Sequence, residues 1–371
     1  MLTLFFKTEP STSSSTPTTT ATSTTTTSAF SLFLTQTTYA AGAKSWSVSI
    51  IDVNNDNKSD IIVANYDSNN VGVLLNTGNG TFSAQTAYPV GTNPASVAVV
   101  DVNSDSKPDI IVANSGSNNV GVLLNTGNGT FHAQTAYSVD TDPWSVAVVD
   151  VNSDNKPDII VANYVSNTVS VLLNAGNGTF HAQTTYPVGT GPWSVSVVDV
   201  NNDNKPDIIV ANFGSNSVGI LLNTGNGTFH AQTIYLVTSG PVSVAVADVN
   251  NDNKSDIIVA NYDSNTVGVL LNTGNGIFNA QTTYSVGINP VSVAVADVNN
   301  DNKPDIIVAN FGSNNIGVLL NAGNGTFNAQ TTYSVGTNPI SVAVVDMNSD
   351  NKLDITYANS GSNNVGILFN S

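Results

Sequence analysis

Seven aspartates, Asp52, Asp101, Asp150, Asp199, Asp248, Asp297 and Asp346, follow one another at a constant spacing of 49 residues. Each is followed by aspartates at +4 and +8 and by a lysine at +6, so 21 of the 26 acidic residues and seven of the nine lysines obey one period. A period of roughly 20–50 residues marks a small supersecondary unit that cannot bury its apolar face alone and must stack on copies of itself. The repeat therefore dictates the fold.

One unit reads as four short strands. In the second repeat, Ser96 to Val102 is β-branched and apolar on both faces, as a strand buried within a sheet should be. Asp109 to Asn114 and Val120 to Asn125 are two more apolar strands, and Thr126-Gly-Asn-Gly129 is a turn rich in residues that tolerate positive φ. From Phe131 to Tyr137 the alternation predicts a fourth strand with one side in water. Four antiparallel strands per unit without helical periodicity predict an all-β, seven-bladed β-propeller.

The chain ends fit a closed ring. The last repeat stops at Ser371 after its third strand, while Phe33-Leu-Thr-Gln-Thr-Thr-Tyr39 stands in register with Phe82-Ser-Ala-Gln-Thr-Ala-Tyr88 one period earlier. The N-terminal strand is thus expected to complete the last blade, giving a propeller over 29–371. The leader, 1–28, is of another kind: from Ser11 to Ser28, 16 of 18 residues are Ser or Thr. Such a stretch buries no apolar surface and reads as a disordered stalk or linker. Met1 to Phe6 is too short for a signal-peptide core, so no conventional export signal is visible.

Composition narrows the function. The formal charge is −17 with no arginine, which argues against a nucleic-acid partner. Cysteine is absent, so disulfides and zinc–thiolate sites are excluded. No run of about 18 apolar residues exists to span a bilayer.

The repeated segment, Asp52-Val-Asn-Asn-Asp-Asn-Lys-Ser-Asp60 in the first unit, puts oxygen-bearing side chains at 0, +2, +4 and +8. Alternating oxygens on a curled loop can surround one hard cation, and position +6 can add its carbonyl while its ammonium turns to solvent. The candidate ligands are Asp52, Asn54, Asp56, Lys58 and Asp60, then Asp101, Asn103, Asp105, Lys107 and Asp109. The third and fourth sets are Asp150, Asn152, Asp154, Lys156 and Asp158, and Asp199, Asn201, Asp203, Lys205 and Asp207. The fifth and sixth are Asp248, Asn250, Asp252, Lys254 and Asp256, and Asp297, Asn299, Asp301, Lys303 and Asp305. Asp346, Asn348, Asp350, Lys352 and Asp354 form the seventh. An EF-hand is not expected, because no helices flank the loop and no Glu stands at +11. All-oxygen donors favour Ca²⁺, up to seven structural ions. The competing reading is a set of hydrogen-bonded Asx turns, which does not demand three acids in every copy.

The third unit, Asp150-Val-Asn-Ser-Asp-Asn-Lys-Pro-Asp-Ile-Ile-Val-Ala-Asn163, followed by Val169-Ser-Val-Leu-Leu-Asn174 and Gly176-Asn-Gly-Thr-Phe180, resembles the FG-GAP/VCBS repeat. That family includes the propeller of integrin α chains, certain fungal lectins and many secreted bacterial proteins. The resemblance covers about residues 29–371 and implies Ca²⁺ on the loop oxygens named above. It also implies an extracellular or cell-surface recognition or adhesion role with a protein or glycan partner. One departure is visible: the family's usual Gly at +5 is Asn57, Asn155, Asn204, Asn253, Asn302 or Asn351 here, and Ser106 in the second unit. Asn tolerates a left-handed backbone better than Ser, so the second site is the weakest expectation.

Differences between units cluster at the end of the blade opposite the loops. If the first hairpin is symmetric about +4, residue −6 faces residue +14, pairing Trp46 with Tyr66, Trp144 with Tyr164 and Trp193 with Phe213. These pairs read either as platforms for sugar rings or partner side chains, or as packing between blades. His132, His181 and His230 fall on the solvated face of outer strands. Asp140 and Asp142 replace a Gly-Thr loop, and Asn79, Asn128, Asn177, Asn226 and Asn324 open Asn-Gly-Thr sequons that also serve the turn. No nucleophile elbow, phosphate loop or zinc-hydrolase motif occurs. The expectation is a monomeric, non-catalytic recognition module, with a propeller-based polysaccharide hydrolase or lyase as the alternative.

Overall fold

The computed structural model describes residues 32–371. The Ser/Thr-rich leader and residues 29–31 lie outside the described residues. Seven four-stranded antiparallel sheets follow one another along the chain. In the first blade the strands are Ser45–Ile51, Asp60–Asn65, Asn70–Leu74 and Thr86–Pro89, from the inner edge outward. Every residue of the second strand, Asp-Ile-Ile-Val-Ala-Asn, is buried. Its β-branched side chains therefore pack on both faces between blades, which explains why this segment shows no alternation.

The seventh blade is closed as the sequence predicts. Phe33–Ala40 lies antiparallel to Asn364–Asn370, with Thr37 opposite Ile367 and Tyr39 opposite Val365. Phe33 also makes an edge-to-face contact with Tyr333 of the sixth blade, ring centroids 5.2 Å apart. The same contact recurs between other blades, for example Tyr88 with Phe131 at 5.4 Å. Full closure leaves the last blade without an unpaired third strand.

One predicted element divides. Phe131 to Tyr137 is not a single strand: Thr130–Phe131 pairs with Asn125–Gly127 in a separate ribbon, and only Thr135–Ser138 forms the outer strand. The ribbon tucks Phe131 into the core between the first two blades. Its turn glycine, Gly129 at φ +71°, lies so close to the first blade that a Cβ would come within 2.7 Å of Leu75. Only glycine fits both the angle and the space.

Candidate functional site

The candidate residues fall at the two ends of the first hairpin of a blade, and the Asp loop occupies the first end. The loop curls because residues at +3 and +5 adopt left-handed backbone angles in all seven units, such as Asn55 at φ 62° and Asn57 at φ 61°. Ser106 takes the same angle, φ 65°, so the second loop keeps the common conformation despite its different residue.

Within the first loop, the Asp52 carboxylate accepts the amides of Asn54 at 3.1 Å and Asn57 at 2.7 Å. Asn54 Oδ1 accepts the amide of Asp56 at 3.0 Å, and Asp56 Oδ1 that of Lys58 at 3.0 Å. The lysine departs from expectation. Its ammonium does not turn away to solvent but pairs with Asp56 Oδ2 at 3.0 Å, an arrangement repeated in the first six loops. The reason is distance: a side chain two residues on reaches the +4 carboxylate on the same curl. In the seventh loop Asn348 Nδ2 donates to Asp350 instead, at 3.1 Å.

The +8 carboxylate is different in kind. Asp60 is 0% exposed, with one oxygen accepting the amide of Val53 at 2.9 Å and the other that of Asn76 at 2.7 Å. Burial, reinforced by the charges of Asp56 and Asp52 and partly offset by the two amides, pushes its pKa up to about 6. The same holds for Asp109, Asp158, Asp207, Asp256, Asp305 and Asp354. Among the described residues, no three Asp, Glu, His or Cys side chains are drawn together as a ready-made metal cluster. The loop oxygens instead hold amide hydrogens and, in the first six loops, one ammonium. The donor chemistry nonetheless fits a hard cation: each loop combines a buried carboxylate that has no ionic partner with two more carboxylates nearby.

The aromatic residues meet at the other end of the first hairpin. The register pairs Ile51 with Asp60 and Ser47 with Ala64, then slips, so that Trp46 stands at a β-bulge rather than in a regular pair with Tyr66. Every blade slips at the same position, for instance between Pro143 and Ser145 around Trp144. A bulge re-aims the side chain it carries, and here it turns residue −6 toward the central channel. The expected partners still touch: ring centroids are 5.0 Å apart for Trp46 and Tyr66, 6.1 Å for Trp144 and Tyr164, and 5.6 Å for Trp193 and Phe213.

The sequence did not reveal that these pairs are one cluster. Trp144 lies 4.7 Å from Trp193 and 5.7 Å from Trp46, reaching the latter across a blade whose equivalent residue is only Ala95. The buried indole N–H of Trp144 has no acceptor. Lys44, also missed, holds its ammonium 5.1 Å from the Trp46 ring and 4.6 Å from that of Tyr66, with Asp67 at 3.9 Å. Tyr262 and Phe311 join from the fifth and sixth blades, where they border a cavity of about 110 Å³.

Next to the bulge, residue −5 is serine in all seven units, a signal available in the sequence. Each serine oxygen accepts a backbone amide from the following blade at 3.2 to 3.4 Å, such as Val97 N–H onto Ser47. Elsewhere, Asp140 is engaged by Thr168 Oγ1 at 2.7 Å and Gln183 Nε2 at 3.0 Å, bonds that tie the connection between the second and third blades to the third blade. The three histidines are exposed on the outer side, and Asn79 and its counterparts sit in their turns at positive φ, as the turn reading requires.

No curated protein matches the sequence. Among solved structures, virginiamycin B lyase from Staphylococcus aureus is similar with a TM-score of 0.63 at 15% identity, over 90% of this chain and 98% of that one. BBS1N in complex with ARL6DN gives 0.63 at 14%, over 91% and 95%. An Agrocybe aegerita lectin, described as recognising non-reducing terminal N-acetylglucosamine, gives 0.54 at 20%, over 77% and 79%. At such identities the likeness shows the propeller fold alone. A family model described as FG-GAP-like repeat matches residues 52–112, 101–161, 150–210, 199–259, 248–308 and 297–357. Each match opens on the first aspartate of a loop and ends in the second strand of the next blade, so the repeat, the loop and the propeller are one signature, and the chain belongs to the FG-GAP-like repeat family.

Proposed function

We propose that this propeller is a calcium-stabilised extracellular recognition module that binds a protein or glycan partner at its channel mouth and catalyses no reaction. The observation that carries the reading is the convergence of Trp46, Trp144 and Trp193, with their partner rings, from three blades onto one surface. Aromatic faces gathered beside polar groups suit recognition of a sugar ring or an anchoring side chain. Ca²⁺ would be held by the loop oxygens at 0, +2, +4 and +8 and the +6 carbonyl. When bound, it supplies positive charge to the buried Asp60-type carboxylates, which nothing else neutralises. Sites of this kind suit the calcium levels outside cells, and among the described residues no helix is long and apolar enough to cross a membrane.

The neighbours in fold include both a lectin and a lyase, so turnover is the alternative to test. At the mouth itself no histidine stands near the aromatic cluster, since all three are exposed on the outer side. A glycan array decides the matter: retention of ligand without release of reducing ends supports recognition, while release of reducing ends shows an enzyme acting on polysaccharide.

A further inference from the structure

The sevenfold repeat breaks at the bulged position of the first strand. Trp fills it in the first, third and fourth units, Ala in the second, and Val or Ile in the last three. The channel mouth therefore has an indole wall on one side and an aliphatic one on the other. Between them, Trp46, Trp193, Tyr262, Val291, Phe311 and Ile340 enclose the cavity of about 110 Å³. One residue further along each strand, the same ring borders a second cavity of about 130 Å³ that includes all seven serines.

No charged side chain lines either cavity. A charge placed there would lose its water without gaining a partner. The polar side chains lining the second cavity are the serine hydroxyls: each oxygen already accepts one amide, which leaves its proton to give and one lone pair free. An uncharged ligand with an apolar face and many oxygen lone pairs satisfies both walls.

We propose that the channel mouth is a single site for one neutral sugar ring, packed by its apolar face on Trp46 and Trp193 and bonded through its oxygens to the serine ring. This deepens the recognition reading and rests on it. Seven near-identical blades thus yield one site, because the indole wall exists only once around the channel.

The test is a titration of the full chain with the methyl glycosides of glucose, galactose and N-acetylglucosamine, followed by tryptophan emission and by calorimetry. All three tryptophans of the protein border this site, so emission reports on it alone. One equivalent of glycoside per chain, with a saturable emission change, is expected. Val291→Trp writes into the sixth unit the residue that three other units already carry, and fills the gap with a side chain the fold accommodates. Its affinity should fall at least about tenfold, the scale of one lost ring contact, with the melting temperature unchanged. Several equivalents, unchanged emission on binding, or undiminished affinity in Val291→Trp overturn the single site while leaving recognition intact. If none of the three glycosides binds, the assignment is likewise overturned, and the recognition reading then stands or falls on the array.

Discussion

The side-chain amide of Asn125 donates to the carbonyl of Val53, 2.9 Å away in the preceding blade, while its own backbone N–H is held by Asp109 at 2.8 Å. Val53 in turn gives its amide to Asp60. The same relay runs from Asn174 to Val102, and closes the ring from Asn76 to the carbonyl of Met347. Every Asp loop is thereby tied to the next through buried bonds. Asn125→Leu should strand the Val53 and Pro108 carbonyls and cost about 1–3 kcal/mol, whereas His132→Ala, at an exposed position with an ordinary backbone angle, should cost far less. Urea unfolding of the two variants checks this, and equal losses would remove the relay from the account.

Calcium should raise the melting temperature and EDTA lower it, since an ion that binds only the folded state stabilises it by mass action. Mg²⁺ should be a poor substitute because of its stricter octahedral demand. Asp154→Ala should lower calcium occupancy and stability together while leaving glycoside affinity at the channel mouth unchanged. A melting curve indifferent to EDTA would show the loops to be hydrogen-bonded turns only.

The metal-free protein should have an inverted pH dependence. In the fold, Asp60 and its six counterparts titrate at about 6, above the ordinary 3.8. Between those values the folded state binds more protons than the unfolded one, so stability falls as pH rises. The contribution is fully present below about 3.8 and lost through about 6. In EDTA the melting temperature should therefore be higher at pH 5 than at pH 7, and saturating Ca²⁺ should flatten or reverse the difference. A metal-free protein more stable at pH 7 than at pH 5 contradicts the buried, unpartnered carboxylates.

Removing residues 1–39 should leave Asn364–Asn370 as an open edge, and an exposed apolar edge invites aggregation. Removing residues 1–28 spares Phe33–Ala40 and should preserve the fold. Light scattering and thermal melts of both truncations provide the comparison. Equal solubility and stability would mean that the N-terminal strand is not needed to close the ring.

Trp144→Ala and Trp193→Ala should each weaken ligand binding, because their rings lie 4.7 Å apart and support one another. Calcium affinity should hardly change, since the loops occupy the opposite end of the first hairpin. Loss of folding stability with normal ligand affinity would identify these rings as packing residues.

The sequence by itself determined the number of blades, the Asp loops and the strand that closes the ring. Each of these follows from chemistry repeated within a few residues and copied every 49: alternating oxygen-bearing side chains in the loop, and a missing strand at one end matched by a spare one at the other. It placed burial on both faces on the first strand, whereas the second strand is the one wholly buried and the first is only partly so. Only the tertiary structure decided how the copies meet. Trp46 and Trp144 are 98 positions apart in the chain, yet a bulge in each first strand and the small Ala95 between them bring their rings to 5.7 Å. The outer strand began later than its alternation implied, because Phe131 found a place between two blades that its own unit could not supply. Lys58 folded back onto Asp56 because the curl of the loop placed a carboxylate within reach. Local pattern records what each unit needs; the inner strands meet around a common channel, and what they build there depends on residues that differ from one unit to the next.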